Sequence, residues 1–193
     1  GFEYFEYTLN TWRWWCKKHG FHLVEYTTML NLEEYAVPNW QRWFDMRQTI
    51  KNAGIDLSTI KKIFMIDGSS MISWKCQPDF LLSAPSDCVT AFRSEENFKW
   101  MASSADGYSS IFPHYTNQFP LHKYFDTGFQ IFGTPHLDFF DYVSDFYKEH
   151  RDDILKIQTT LKRGTDQPMF NWLYLTNDVP IQLNTIDRAY FVK

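Results

Sequence analysis

Three short stretches of this 193-residue chain combine an aspartate with small or amide neighbours: Asp67-Gly68-Ser69-Ser70, Asp126-Thr127-Gly128 and Gly164-Thr165-Asp166-Gln167. A carboxylate at the end of a hydrophobic strand suits a hard divalent cation such as Mg²⁺ or Mn²⁺, which keeps positions open for phosphate oxygens. Gly68 removes a side chain that would stand between the backbone and an approaching phosphate or ribose, and Ser69 and Ser70 add hydroxyls. Each stretch also has a plain structural reading. Asp-Gly-Ser-Ser is a turn composition, Asp126 ahead of Thr-Gly suits an Asx turn, and Asp166 suits the N-cap of a helix, stabilised by the helix dipole. Two of the three carboxylates are also the equipment of an acid and base pair in glycoside hydrolysis.

Other chemistries find little support. There is neither a P-loop nor a GxGxxG element, and the six histidines show no close metal spacing, which disfavours ATPase, dinucleotide and zinc readings. Cys16, Cys76 and Cys88 form no disulfide framework, which points to a reducing compartment, the cytoplasm, and Cys16 and Cys88 read as buried small hydrophobes. With a net charge of −4 and no basic run, the chain lacks the footprint of a nucleic-acid binder. No run approaches the roughly 20 apolar residues of a membrane span. The aromatic share, 19%, is high enough to serve both a core and stacking on nucleobases or the C–H faces of sugars.

The elements that must position these groups are expected in the following order. A helix over residues 3–19 stops at Gly20, and a strand follows over 21–26. An aromatic helix runs from Asn39 to Ala53-Gly54, then a strand over 63–66 ends in Asp67. A strand covers 89–92, and a Ser/Gly/Tyr-rich stretch over 103–117 reads as a mobile flap. A strand over 128–132 leads through Thr134, as N-cap, into a helix over 137–150, with a second helical segment over 152–161. A helix over 167–175 and a strand over 180–183 complete the order. Alternation of this kind predicts one α/β domain over residues 1–193 with a mostly parallel sheet, whose ligands bind beyond the carboxyl ends of the strands.

In this order the segments WWCKKHGFHLVEY, VPNWQRWFDM, KKIFMIDGSSMI, KYFDTGFQIFG and GTDQPMFNWLY resemble the GT-A nucleotide-sugar glycosyltransferases. The likeness is greatest to the glycogenin-like and yeast galactosyl/mannosyltransferase-like groups. The resemblance implies a Rossmann-like, mostly parallel sheet flanked by helices. It further implies a nucleotide-sugar donor, a UDP-sugar by expectation, and a carbohydrate or other hydroxyl-bearing acceptor. By the same resemblance Asp67 matches the first acid of the Asp-x-Asp element that meets donor ribose and metal, with Gly68 beside it and Ser69 in place of the second acid. A hydroxyl is the weaker ligand, so Mn²⁺ or Mg²⁺ on Asp67 is in doubt, and Arg42, Lys75 and Lys123 are the candidates to neutralise the diphosphate instead. Trp40 and Arg42 match a Trp-x-Lys element lining the donor site. Asp126, Thr127 and Gly128 match an aromatic-Asn-x-Gly element beside the transferred sugar, and Asp166-Gln167 an acid and amide that contact hydroxyls near the anomeric carbon. Asp166 and Asp126 are the expected catalytic acids. The family's first strand would precede residue 1 and its late His-x-x-Gly element would follow Lys193, so the chain reads as a fragment or a minimised relative. A degenerate domain that binds sugar or serves as a structural subunit is the competing reading.

Overall fold

The computed structural model describes residues 4–26, 38–44, 46–112, 119–162, 166–176 and 181–186. Helix α1 (Tyr4–His19) buries Trp12, Trp15 and Cys16 and ends where Gly20 takes φ +72°, the left-handed conformation that glycine adopts without strain. Residues 21–26 continue without the expected strand. Their side chains hold them to α1 instead, with Phe21 stacked on Trp15 at 5.1 Å and Glu25 in an ion pair with Arg13 at 2.6 Å.

The aromatic helix expected from Asn39 is two pieces, α2 (Pro38–Gln41) and α3 (Met46–Asn52). A continuous helix that buries Trp40, Trp43 and Phe44 would next turn Arg47 and Lys51 inward. The break rephases the chain so that Met46 and Ile50 enter the core instead.

After α3 come β1 (Ile63–Ile66), α4 (Asp79–Leu82), β2 (Cys88–Arg93), α5 (Phe98–Tyr108), β3 (Phe125–Phe132), α6 (Leu137–Leu161), α7 (Gln167–Thr176) and β4 (Gln182–Ile186). Most of the stretch expected as a flap is helix α5 with a 3₁₀ turn after it, while residues 113–118 lie outside the described part. Helix α5 starts where the Asn97 side chain accepts the N–H groups of Lys99 and Trp100, and it buries Met101, Ser104, Ala105 and Tyr108 at helical spacing. The two helical segments expected after residue 137 are one 25-residue helix, α6. Gly133, rather than Thr134, precedes the 3₁₀ turn that opens it.

The sheet order is β1-β3-β2-β4. Strands β1, β2 and β4 point the same way, as the α/β reading requires, but β3 lies antiparallel between β1 and β2, so only β2 and β4 form a parallel pair. This corrects the expectation of mostly parallel pairing, and the reversal matters for function. It brings the beginning of β3 beside the carboxyl ends of β1 and β2. Three residues of β3, Thr127, Gly128 and Phe129, fall between consecutive partners on β2, a bulge at that same end. One sheet face packs on α1 and α4 through Trp12, Trp15, Leu81, Phe129 and Ile131. The other packs on α2, α3, α5, α6 and α7 through residues that include Trp40, Trp43, Met65, Ala91, Phe140 and Phe170.

Candidate functional site

Asp67 follows β1 directly and extends its ladder by one bond, its N–H donating to the Gly128 carbonyl at 2.9 Å. The Ser70 N–H then donates to the Asp67 carbonyl at 2.9 Å, so Asp-Gly-Ser-Ser is indeed a turn. Helix α1 fixes the course of this turn and the loop beyond it. The Thr8 hydroxyl donates to the Gly68 carbonyl at 2.6 Å, and the Trp12 and Trp15 indoles donate to the Ser70 and Cys76 carbonyls at 2.9 and 2.8 Å. The aromatic residues of α1 thus act on the loop backbone through their N–H groups, a use their spacing alone does not reveal.

Gly68 serves a different end from the one expected. A Cβ at Gly68 would come within 2.5 Å of the Phe5 ring, so the space it leaves seats an aromatic side chain of α1. Gly128 is the glycine that meets a carboxylate. A Cβ there would lie 2.5 Å from Asp67 Oδ2 and 3.1 Å from Asp126 Oδ1, which shows how closely the bulge brings these two acids. Asp126 accepts the Gly128 N–H at 2.8 Å, the Asx arrangement within its own strand.

Asp166 stands at the start of α7, where its carbonyl accepts the first helical N–H, from Phe170, at 3.0 Å. Its side chain is only 4% exposed. Oδ2 accepts Trp43 Nε1 at 2.6 Å and Arg42 Nη2 at 2.8 Å. The other arm of Arg42, Nη1, is paired with Asp67 Oδ1. One guanidinium therefore bridges two aspartates that belong to distant parts of the chain. Its Cζ also lies 4.8 Å from the centre of the Trp43 ring. The break between α2 and α3 is what aims Arg42 at the acids while Trp43 stays buried beside it. Two carboxylates against one guanidinium leave the group with one net negative charge.

Around this bridge, the Thr127 N–H faces Gln167 Oε1 at 3.4 Å, linking the β3 bulge to the start of α7. Asn171, which sequence reasoning missed, secures the same junction. Its Nδ2 donates to the carbonyls of Phe125 and Gln167, both at 2.9 Å, and its Oδ1 accepts the Phe125 N–H at 2.9 Å. A buried side-chain amide so completes the backbone bonding of β3 where its ladder loosens. Inward helix asparagines are the only sequence signal for such a clamp.

Other expected site residues stand apart. Trp40 is fully buried, stacked on Phe44 and set against Tyr147 and Phe170, so it fills the core instead of lining a ligand surface. Ser69 is exposed. Lys75 lies over the neighbouring Trp74 ring at 5.2 Å, Lys123 is exposed, and the cation that meets the acids is Arg42.

Burial raises the thiol pKa of Cys16, Cys76 and Cys88, so none is an activated nucleophile. Burial likewise holds the phenols of Tyr108, Tyr124 and Tyr174 above their ordinary value, and the charge of Asp166 adds to the effect at Tyr108 and Tyr124. A divalent cation fits this arrangement poorly. Among the described residues no three His, Cys, Asp or Glu side chains are arranged to hold a metal ion, Oδ1 of Asp67 is held by a guanidinium, and Ser69, two residues on, offers only a hydroxyl. No helix among the described residues is long and apolar enough to cross a membrane.

No family model and no curated protein matches the sequence. The fold does match a solved structure, described as a glycosyltransferase involved in the glycosylation of the major capsid of PBCV-1. The TM-score is 0.60 at 14% identity, over 96% of this chain and 76% of that one. At that identity the likeness is one of architecture: this chain has an α/β fold, a mixed four-stranded sheet flanked by helices, of the kind seen in a glycosyltransferase.

Proposed function

We propose that the chain is a glycosyltransferase that moves a sugar from a nucleotide-diphosphate sugar, a UDP-sugar in the first instance, to an acceptor hydroxyl. The observation that carries this is the convergence of Asp67, Asp126, Arg42 and Asp166 where β1 ends and β3 begins, in a fold shared with a glycosyltransferase. The glycogenin-like assignment rests only on the order of the sequence motifs.

Transfer breaks the bond from the anomeric carbon to the diphosphate oxygen, whose electron pair leaves with the diphosphate. It forms a bond from that carbon to the acceptor oxygen, whose proton must be taken up. Asp166, expected to steer the acceptor hydroxyl or stabilise charge at the anomeric carbon, is nearly buried under Arg42 and Trp43, so the role that fits it is to hold Arg42 in one orientation beside those atoms. Asp126, on the β3 bulge, is placed for sugar hydroxyls. Asp67, with a side chain 44% exposed, is the most accessible of the Arg42 partners and suits the donor ribose. Three free cysteines accord with a reducing compartment such as the cytoplasm.

The test is a panel of UDP-sugars, read as UDP release with and without simple sugar acceptors, beside a panel of aryl glycosides. Acceptor-dependent UDP release that falls at least about tenfold in Asp166→Asn is the expected result. Cleavage of an aryl glycoside without UDP release assigns the acids to hydrolysis. Silence in both, with sugar binding retained, assigns a degenerate binding domain.

A further inference from the structure

The fold class leads one to look for a cation beside Asp67, yet the described residues put a guanidinium there. Oδ1 of Asp67 is paired with Arg42, and Oδ2 lies so close to Gly128 that no Cβ fits between them. Ser69 offers a hydroxyl where a second carboxylate would be needed, and a neutral hydroxyl binds Mn²⁺ or Mg²⁺ far less well.

Arg42 has the properties that a replacement requires. It is always charged, and its planar fork matches two oxygens of a phosphate. Its side chain is 15% exposed, so it reaches solvent on the Asp67 side while its other arm is anchored on the nearly buried Asp166. Its donors are not exhausted by the two aspartates, for Nε is buried with no hydrogen-bond partner among the described residues. The charge count sets the order of events. The bridge as it stands is net negative and would repel a diphosphate, so the arm on Asp67 must open before or as the donor arrives.

We propose that Arg42 takes the place of the divalent cation. It rests between Asp67 and Asp166, and on donor binding its outer arm passes from Asp67 to the diphosphate. There it supplies the positive charge that the leaving group needs, while Asp67 turns to the hydroxyls of the donor ribose. The inference rests on the nucleotide-sugar reading and says which residue makes that site independent of metal.

The experiment is calorimetry of UDP binding to the full chain, in EDTA and in MnCl2, for the wild type and for Arg42→Ala, Arg42→Lys and Asp67→Asn, each checked for folding by circular dichroism. The wild type should bind UDP in EDTA, with less than about threefold change on adding Mn²⁺. Loss of a charge-assisted contact should weaken UDP binding by Arg42→Ala about 10- to 100-fold in EDTA, and Mn²⁺ on the released Asp67 should recover part of that loss. Arg42→Lys should fall between the two, since an ammonium keeps the charge and loses the fork. Asp67→Asn keeps the Asp166 anchor and guards against a misfolded Arg42 variant. It should bind UDP in EDTA within about tenfold of the wild type and show no response to Mn²⁺. UDP bound by the wild type only with Mn²⁺, or abolished by Asp67→Asn, overturns the inference and leaves the donor reading standing. UDP bound in neither condition overturns both.

Discussion

Trp43 and Arg42, adjacent in the chain, donate to the same oxygen of Asp166, the indole at 2.6 Å and the guanidinium at 2.8 Å. Trp43→Phe keeps the ring that stacks on Phe140 at 5.6 Å and removes one donor from a carboxylate with almost no access to water. We expect the variant to lose about 1.5–3 kcal/mol of stability, the range for a hydrogen bond to a charged group. Chemical denaturation measures it, and a variant as stable as the wild type would show that the indole is dispensable to Asp166.

Gly128→Ala places a methyl where the Asp67 carboxylate lies. Asp67 must move, which breaks its pairing with Arg42 and takes its carboxylate away from the position proposed for the donor ribose. The expected cost is about 1–3 kcal/mol of stability, together with weaker UDP binding. Gly54 is the contrast: it has φ +73° with nothing near its missing Cβ. Gly54→Ala should cost only the left-handed penalty, about 1–2 kcal/mol, with UDP binding unchanged. Equal effects on UDP binding in the two variants would remove the special role of Gly128.

Asn171→Asp is nearly isosteric, but it turns an amide that donates to two carbonyls into an acceptor facing them. The Phe125 N–H keeps its partner while the carbonyls of Phe125 and Gln167 lose theirs. A loss of about 2–4 kcal/mol is expected, read from the thermal midpoint. Hydrogen exchange should quicken first at the start of β3, and uniform quickening across the sheet would argue against a local clamp.

Three of the buried phenols give a pH dependence of definite sign. In the folded chain Tyr108, Tyr124 and Tyr174 hold their protons above the ordinary value of 10.0. The folded state therefore binds protons that the unfolded state releases near pH 10. The associated stability is complete below that pH and is lost as pH rises towards the raised values. Absorbance at the tyrosinate band should show at least Tyr108, Tyr124 and Tyr174 refusing to ionise until the chain unfolds. All eleven tyrosines titrating together near pH 10 with circular dichroism intact would contradict the burial.

The cysteines give the companion result. With thiol pKa values raised by burial, alkylation by iodoacetamide at neutral pH should be slower than for a free thiol and should accelerate with pH. Cys76, the least buried of the three, should react first. Rapid neutral labelling of Cys16 or Cys88 would point to a thiol more open than this.

Much of the architecture was legible because it is written locally. Gly20 and Gly54 mark stops, Ile63–Ile66 is an apolar run closed by a turn, and α7 follows an aspartate at its start. What was not legible depends on partners. Nothing in residues 125–132 says that they run against β1 and β2, since strand direction is set by the connection and the neighbours. Helical spacing gives Trp40, Trp43 and Phe44 one common face, but the break at residues 42–44 decides that Trp43 meets Asp166 and Trp40 does not. Serines hid helix α5 because its apolar face needs only Met101, Ala105 and Tyr108. The three aspartates could be picked from their neighbours, whereas the cation that joins two of them could not be told from Lys75 or Lys123.

The strand order has a consequence for the making of the protein. Because β3 sits between β1 and β2 although it follows both in the chain, those two strands have no sheet partner in common until residues 125–132 have left the ribosome. Until then they are two exposed apolar edges, and Asp67 has no Gly128 to rest against. A nascent chain halted ahead of β3 is therefore a natural client for a chaperone, and the candidate site assembles late, when the last central strand slides into place.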